Sequence, residues 1–105
     1  MIDGDTVVLR DGERVRLIGI DAPEKGQPDS EAATRRLKDL IEGRYVTLEK
    51  DVEDKDRFGR LLRYIYVNDT FVNLEVVREG YASVFIIYPN IRYSSEFEDA
   101  MQKEI

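Results

Sequence analysis

Asp11-Gly12 lies between two strand-forming runs, Thr6 to Arg10 and Arg14 to Ile20. A dipeptide of this kind readily turns a chain back on itself, so the first part of the molecule is expected to be an antiparallel hairpin. Pro23 to Pro28 is too rich in Pro, Gly and charge to extend it and reads as a loop. Asp29 or Ser30 then caps a predicted helix to about Glu42, with Ala33, Leu37, Leu40 and Ile41 on one face and Gly43 as its stop. Tyr45 to Glu49 alternates as a strand, with Val46 and Leu48 inward, and a charged connection from Asp51 to Gly59 leads to a strand at Leu61 to Val67. That strand turns at Asn68-Asp69. Asn73 is the expected cap of a short helix through Arg78, closed by Gly80. Tyr81 to Tyr88 reads equally as a buried strand or an extended segment. Ser95 and Glu98 form the pattern of a capping box for a last helix, whose Phe97, Ala100, Met101 and Ile105 suggest a buried stripe. Strands in hairpins, one helix inserted between strands and helices at the end fit a mainly β fold with helices, a small Greek-key barrel of the OB type.

A chain of 105 residues with 42% hydrophobic content supports one modest core, so residues 1–105 are expected to form a single domain. No Cys and no His are present. Disulfides, thiolate metal sites and imidazole acid–base chemistry are therefore excluded, and any proton transfer falls to carboxylates, lysine, tyrosine or water. No apolar run reaches membrane-spanning length, and no targeting segment or cell compartment is legible. The formal net charge of −6 opposes long-range attraction of a polyanion, so a nucleic-acid role would rest on a local cluster of arginines and on bound metal.

Such a cluster can be assembled from three separated runs: Asp3-Gly4-Asp5-Thr6, Arg16 to Glu24, and Asp56-Arg57-Phe58-Gly59-Arg60. Together they offer carboxylates for a hard divalent cation, a further carboxylate to take a proton from water, and two guanidiniums to clamp a phosphate. That is the equipment for attacking a phosphodiester. Asp3 and Asp5 fall on one side of a short extended segment, although the same tetrapeptide also suits an ordinary turn. Arg16 and Asp21 are five apart, which places them on opposite faces of a regular strand. Their joint use requires a bend or bulge near Gly19.

In this order the three runs resemble those of the staphylococcal nuclease (thermonuclease) family, and the resemblance extends over nearly the whole chain, including Gly80 to Val84 and the closing helix. It implies a five-stranded OB barrel with three helices. It also implies a calcium-dependent nuclease that hydrolyses DNA and RNA, single strands preferred, with little sequence preference and with 3′-phosphate ends. By the same resemblance Asp5, Asp21 and the carbonyl of Ala22 hold Ca2+, with Asp3 near the ion through water. Glu24 is the general base or water-orienting carboxylate, and Arg16 and Arg60 clamp the phosphate. Arg57 stands where a lysine is common and Tyr88 matches a nucleotide-contacting tyrosine, whereas Phe58 and Ile86 replace two others.

The family's first strand precedes the Asp-Gly-Asp-Thr run, where only Met1 and Ile2 stand here. The expected barrel therefore lacks that strand and leaves two edges open. The chain is then an N-terminally truncated piece, or another segment or subunit completes it, with a homodimer through the open edges as one form. Two other readings use the same residues. One is a nuclease-like module that binds nucleic acid or protein without cutting; the other is a structural domain whose Asp and Arg residues form surface ion pairs.

Overall fold

The computed structural model describes residues 3–102. Its elements run β1 (Thr6–Val8), β2 (Arg14–Leu17), β3 (Gly19–Asp21), α1 (Ser30–Ile41), β4 (Thr47–Glu49), β5 (Leu61–Val67), β6 (Thr70–Phe71), α2 (Val72–Arg78), β7 (Ser83–Phe85) and α3 (Ser94–Gln102). One sheet has the order β1-β2-β5-β4 with β6 also against β5; β3 and β7 form a separate antiparallel pair. The β2–β5 pairing is parallel, with Arg16 opposite Leu62, and α1 lies on the connection between these strands. This mainly β architecture with three helices agrees with the expected OB-type fold.

The first hairpin is looser than Asp11-Gly12 suggested. Thr6 pairs with Arg16 and Val8 with Arg14, but β1 stops at Val8. The Leu9 N–H donates to the Glu13 carbonyl at 2.8 Å and the Gly12 N–H to the Leu9 carbonyl at 2.9 Å, so the turn spans more than two residues. The expected continuous strand to Ile20 is broken. Gly19 takes a φ of +87°, which lets β3 leave the main sheet and pair with β7, while Leu17, Ile18 and Ile20 are all buried. The bend expected near Gly19 is thus present.

Helix α1 buries Ala33, Leu37 and Ile41, leaves Leu40 half-buried, and is followed by Gly43 at positive φ. Asp29 occupies the N-cap position, but at a φ of 70° and without a side-chain capping bond. The strand expected from Tyr45 begins at Thr47; Val46 and Leu48 pack half-buried against the core while Tyr45 is exposed. Between the free edges of β1 and β4 lies a groove of about 590 Å³ lined by Val7, Leu9, Ile41, Val46 and Leu48. Among the described residues no strand pairs with either edge.

Asn73 is not a cap. Helix α2 starts at Val72, and Asn73 is buried in its first turn, where its side chain accepts from the Ile65 N–H (2.8 Å) and donates to the Ile18 carbonyl (2.9 Å). A further bond runs to the Arg63 carbonyl at 3.3 Å. This one amide joins α2 to β5 and to the residue just before Gly19. Helix α3 begins at Ser94, so Ser95 lies inside it rather than ahead of it. Phe97 and Ala100 are buried as expected, Met101 is 48% exposed and faces away from the core, and Ile105 lies outside the described residues. An edge-to-face cluster of Tyr64, Phe71 and Tyr93, with Phe97 beside Phe71, fills the core between sheet and helices. Among the described residues no helix is long and apolar enough to cross a membrane.

Candidate active site

The Asp3-Gly4-Asp5-Thr6 run is a turn pressed against the second run. Asp3 Oδ1 accepts the Asp5 N–H at 3.0 Å, which closes the turn locally. A Cβ on Gly4 would lie 2.8 Å from Cβ of Ala22 and 2.9 Å from Cβ of Ala33, so only glycine allows this approach to α1. Asp5 is buried. Its Oδ2 accepts the Ala22 N–H at 2.9 Å and its Oδ1 accepts the Thr6 hydroxyl at 3.2 Å, while its carbonyl accepts the Leu17 N–H at 2.9 Å. Two runs distant in sequence are thereby held through one carboxylate.

Arg16 enters from β2 beside it. One terminal nitrogen donates to the Leu17 carbonyl at 2.7 Å; the other lies 3.6 Å from Asp5 Oδ2 and 3.5 Å from Asp21 Oδ1. The break at Gly19 is what brings Asp21 round to the same side as Arg16. Asp5 and Asp21 therefore converge on a positive charge, which is the arrangement a cation site needs. Among the described residues no three acidic side chains cluster closely enough to hold an ion by themselves, so an ion here would draw on backbone oxygen and water as well.

The third run is organised by Asp56. Its Oδ1 accepts the Phe58 and Arg60 backbone N–H groups, each at 2.9 Å, and its Oδ2 accepts Arg60 Nε at 2.7 Å. Burial alone would push the Asp56 carboxyl up, but these hydrogen bonds and the Arg60 charge hold it below its ordinary value. A second Arg60 nitrogen reaches Thr6 Oγ1 at 3.3 Å, tying the third run to the first. The Arg57 and Arg60 guanidiniums lie 5.0 and 5.5 Å from the centroid of the Phe58 ring. Asp3 behaves oppositely to Asp56: burial, and then the neighbouring Asp5, push its carboxyl up.

Arg16 and Arg60 both line a cavity of about 520 Å³ with Arg57, Phe58, Phe85 and Ile87. Glu24 stands on the exposed loop after Ala22, with its backbone clipped by Gln27: the Glu24 N–H donates to Gln27 Oε1, and the Gln27 N–H donates to the Glu24 carbonyl, both at 2.9 Å. Its carboxylate is on the exposed surface and, among the described residues, accepts no hydrogen bond. The structure thus brings Asp3, Asp5, Arg16, Asp21, Ala22 and Arg60 into one network and leaves Glu24 outside it. Tyr88 is 81% exposed and does not line the cavity; Ile86 packs half-buried against the core.

A family model described as staphylococcal nuclease homologue matches residues 14–104. The chain belongs to the staphylococcal nuclease family. It is 40% identical to a thermonuclease of Staphylococcus intermedius over 113 aligned residues, covering 99% of this chain and 67% of that protein. To a thermonuclease of Staphylococcus hyicus it is 32% identical, covering 98% of this chain and 66% of the relative. To the endonuclease YncB of Bacillus subtilis it is 38% identical, covering 91% and 51%. The chain spans about half to two-thirds of the length of these relatives.

The network also depends on Thr6 and Asp56, which stand in the first and third runs but carried no assigned role, and the Glu24 loop depends on Gln27, which lies outside the runs. Asp56 had a readable signal, since an Asp three residues before a Gly commonly closes a turn on its own side chain. Thr6 and Gln27 had none, because their bonds are set by the docking of separate runs.

Proposed function

We propose that this chain is a metal-dependent nuclease that hydrolyses phosphodiester bonds in DNA and RNA, with Ca2+ as the ion and 3′-phosphate ends as product. The observation that carries the reading is that Arg16, which meets Asp5 and Asp21, and Arg60, which meets Thr6, line one cavity. The relatives are named as thermonucleases and endonucleases, which supports the same reaction class.

The donor set is composed of hard oxygens, so it suits a divalent cation of the calcium type: Asp5, Asp21 and the Ala22 carbonyl would hold it, with Asp3 acting through water. Such an ion, when bound, supplies charge neutralisation at the phosphate. Arg16 and Arg60 bind the non-bridging phosphate oxygens and strengthen their hold as negative charge grows in the pentacoordinate state. Glu24 accepts a proton from the attacking water at a carboxylate oxygen while the water oxygen bonds to phosphorus. The P–O5′ bond then breaks and the departing oxygen takes a proton from solvent. The ion pairs of the free protein explain the orientation of both arginines, and a phosphate would exchange for part of their carboxylate contacts.

The deciding experiment incubates purified protein with single-stranded DNA in Ca2+ and in chelator, with analysis of the product ends. Metal-dependent cleavage leaving 3′-phosphates is expected. Cleavage that ignores chelator removes the metal site, and binding without cleavage favours a module that holds nucleic acid without cutting it.

The free edges of β1 and β4 flank an apolar groove. They are the proposed contact of a homodimer. A concentration-independent monomer mass in sedimentation would remove that assembly.

A further inference from the structure

We infer that Arg14, which lies outside the three runs, positions the Arg60 half of the phosphate clamp. The inference rests on the nuclease reading above and adds to it a residue that does not line the cavity of Arg16 and Arg60. Arg14 and Arg16 stand two apart on β2 and share one face of it, with Val15 and Leu17 buried on the other. From that face the Arg14 guanidinium donates to the Phe58 carbonyl at 3.2 Å, across 44 residues of sequence.

Phe58 is the hub of the third run. Its N–H donates to Asp56 Oδ1 at 2.9 Å, and the guanidiniums of Arg57 and Arg60 lie 5.0 and 5.5 Å from the centroid of its ring. The residue is 60% exposed, so little packing holds it from outside. Asp56 fixes the shape of the run from within, which does not by itself fix where the run sits over the sheet.

Among the described residues two side-chain hydrogen bonds join residues 56–60 to the β1–β2 hairpin: Arg14 to Phe58, and Arg60 to Thr6. The second is long, 3.3 Å, and is made by a terminal nitrogen of the clamp itself. A phosphate that draws this nitrogen toward it weakens the bond to Thr6. Arg14 is then the side-chain bond that keeps the run beside Arg16. One strand thus carries an arginine that meets the phosphate and another that holds the second half of the clamp within reach.

The test is a set of double-mutant cycles on cleavage of single-stranded DNA in Ca2+. Arg14→Ala is made in the wild type and in the Arg60→Lys and Arg16→Lys backgrounds, and Arg14→Lys in the wild type. Arg14→Ala alone should lower kcat roughly tenfold, a modest loss of orientation, with KM and the melting temperature little changed. Arg14→Lys should recover most of that loss, because one N–H suffices for a carbonyl. The loss should vanish in Arg60→Lys and persist in Arg16→Lys, since Arg14 acts through Arg60. An equal loss in all three backgrounds would mean that the Arg14 charge acts on the substrate directly, and it overturns the inference. So does an unchanged kcat in Arg14→Ala, a lysine variant no better than alanine, or a melting temperature that falls together with kcat. In each of these cases a wild type that cleaves leaves the nuclease reading intact, whereas a wild type that cuts nothing removes both.

Discussion

Asp56 holds Arg60 at both ends, accepting its backbone N–H at 2.9 Å and its guanidinium Nε at 2.7 Å. The remaining guanidinium nitrogens are left to face Thr6 and the cavity. Replacing Asp56 with Ala frees both the turn and the side chain, so the clamp must be ordered when substrate binds. Cleavage efficiency should fall roughly 10- to 100-fold, comparable to other losses of orientation at a reacting centre. Steady-state kinetics of Asp56→Ala check this, and wild-type efficiency would show that Arg60 needs no such support.

The same carboxylate makes stability depend on pH in a defined direction. The Asp56 value in the folded protein lies below the ordinary 3.8, so its bonds stabilise the native state above that pH. The contribution is lost as pH falls from 3.8 through the depressed folded value. Urea unfolding of wild type and Asp56→Asn should therefore show a constant gap near neutrality that closes under more acid conditions. A gap that widened on acidification would contradict the assignment.

Gly4 predicts a coupled loss of fold and activity. An added methyl would overlap Ala22 and Ala33 at 2.8 and 2.9 Å, and both contacts are made by residues with little room to turn. Gly4→Ala should cost about 1–3 kcal/mol in denaturant unfolding, as overpacking does. It should also weaken the response of activity to Ca2+, since Asp3 and Asp5 flank the displaced residue. Unaltered metal dependence in a folded variant would separate this turn from the ion.

Asn73 bonds three backbone groups through one side chain, and its bonds to the Ile65 N–H and the Ile18 carbonyl are buried. Asn73→Ala leaves the Ile65 N–H and the Ile18 carbonyl without these partners, at about 1–3 kcal/mol for each group. Thermal unfolding should detect that loss, accompanied by faster amide exchange in β5 and around Gly19. A change of only a few tenths of a kcal/mol would mean that water replaces the amide.

The contrast between Asn73 and Gly19 shows what the sequence discloses. Gly19 was readable because the positions of Arg16 and Asp21 demanded a bend and glycine is the residue that supplies one. The helix stop at Gly43 and the turn at Asn68-Asp69 were readable for similar local reasons. Asn73 carried a local signal that pointed the wrong way: at the start of a helix an Asn ordinarily caps, but here burial under β5 gives its amide better partners. Ser95 and Met101 misled likewise, since α3 begins one residue earlier and turns Met101 outward. Within the site, the residues of each run were legible, and the bonds that join the runs were not. Thr6 meeting Arg60 across 54 residues is a product of packing.

Arg16 offers the most direct separation of clamp from scaffold. One of its terminal nitrogens is committed to the Leu17 carbonyl at 2.7 Å, and the other faces Asp5 and Asp21 at 3.6 and 3.5 Å. A lysine has a single nitrogen and no planar fork, so it cannot keep the backbone bond and meet a phosphate in two places. The contact to Asp21 is long and that carboxylate is 58% exposed, so this pair stabilises the fold by no more than about 1 kcal/mol, and a lysine keeps a positive charge beside the buried Asp5. Arg16→Lys should therefore retain nearly the wild-type melting temperature while losing roughly 100-fold or more in kcat, the scale of one transition-state donor removed. A melting temperature that falls together with activity would make Arg16 a structural residue. Wild-type turnover by the lysine variant would move the phosphate elsewhere, because only a fork that holds two oxygens as charge accumulates distinguishes arginine from lysine at this position.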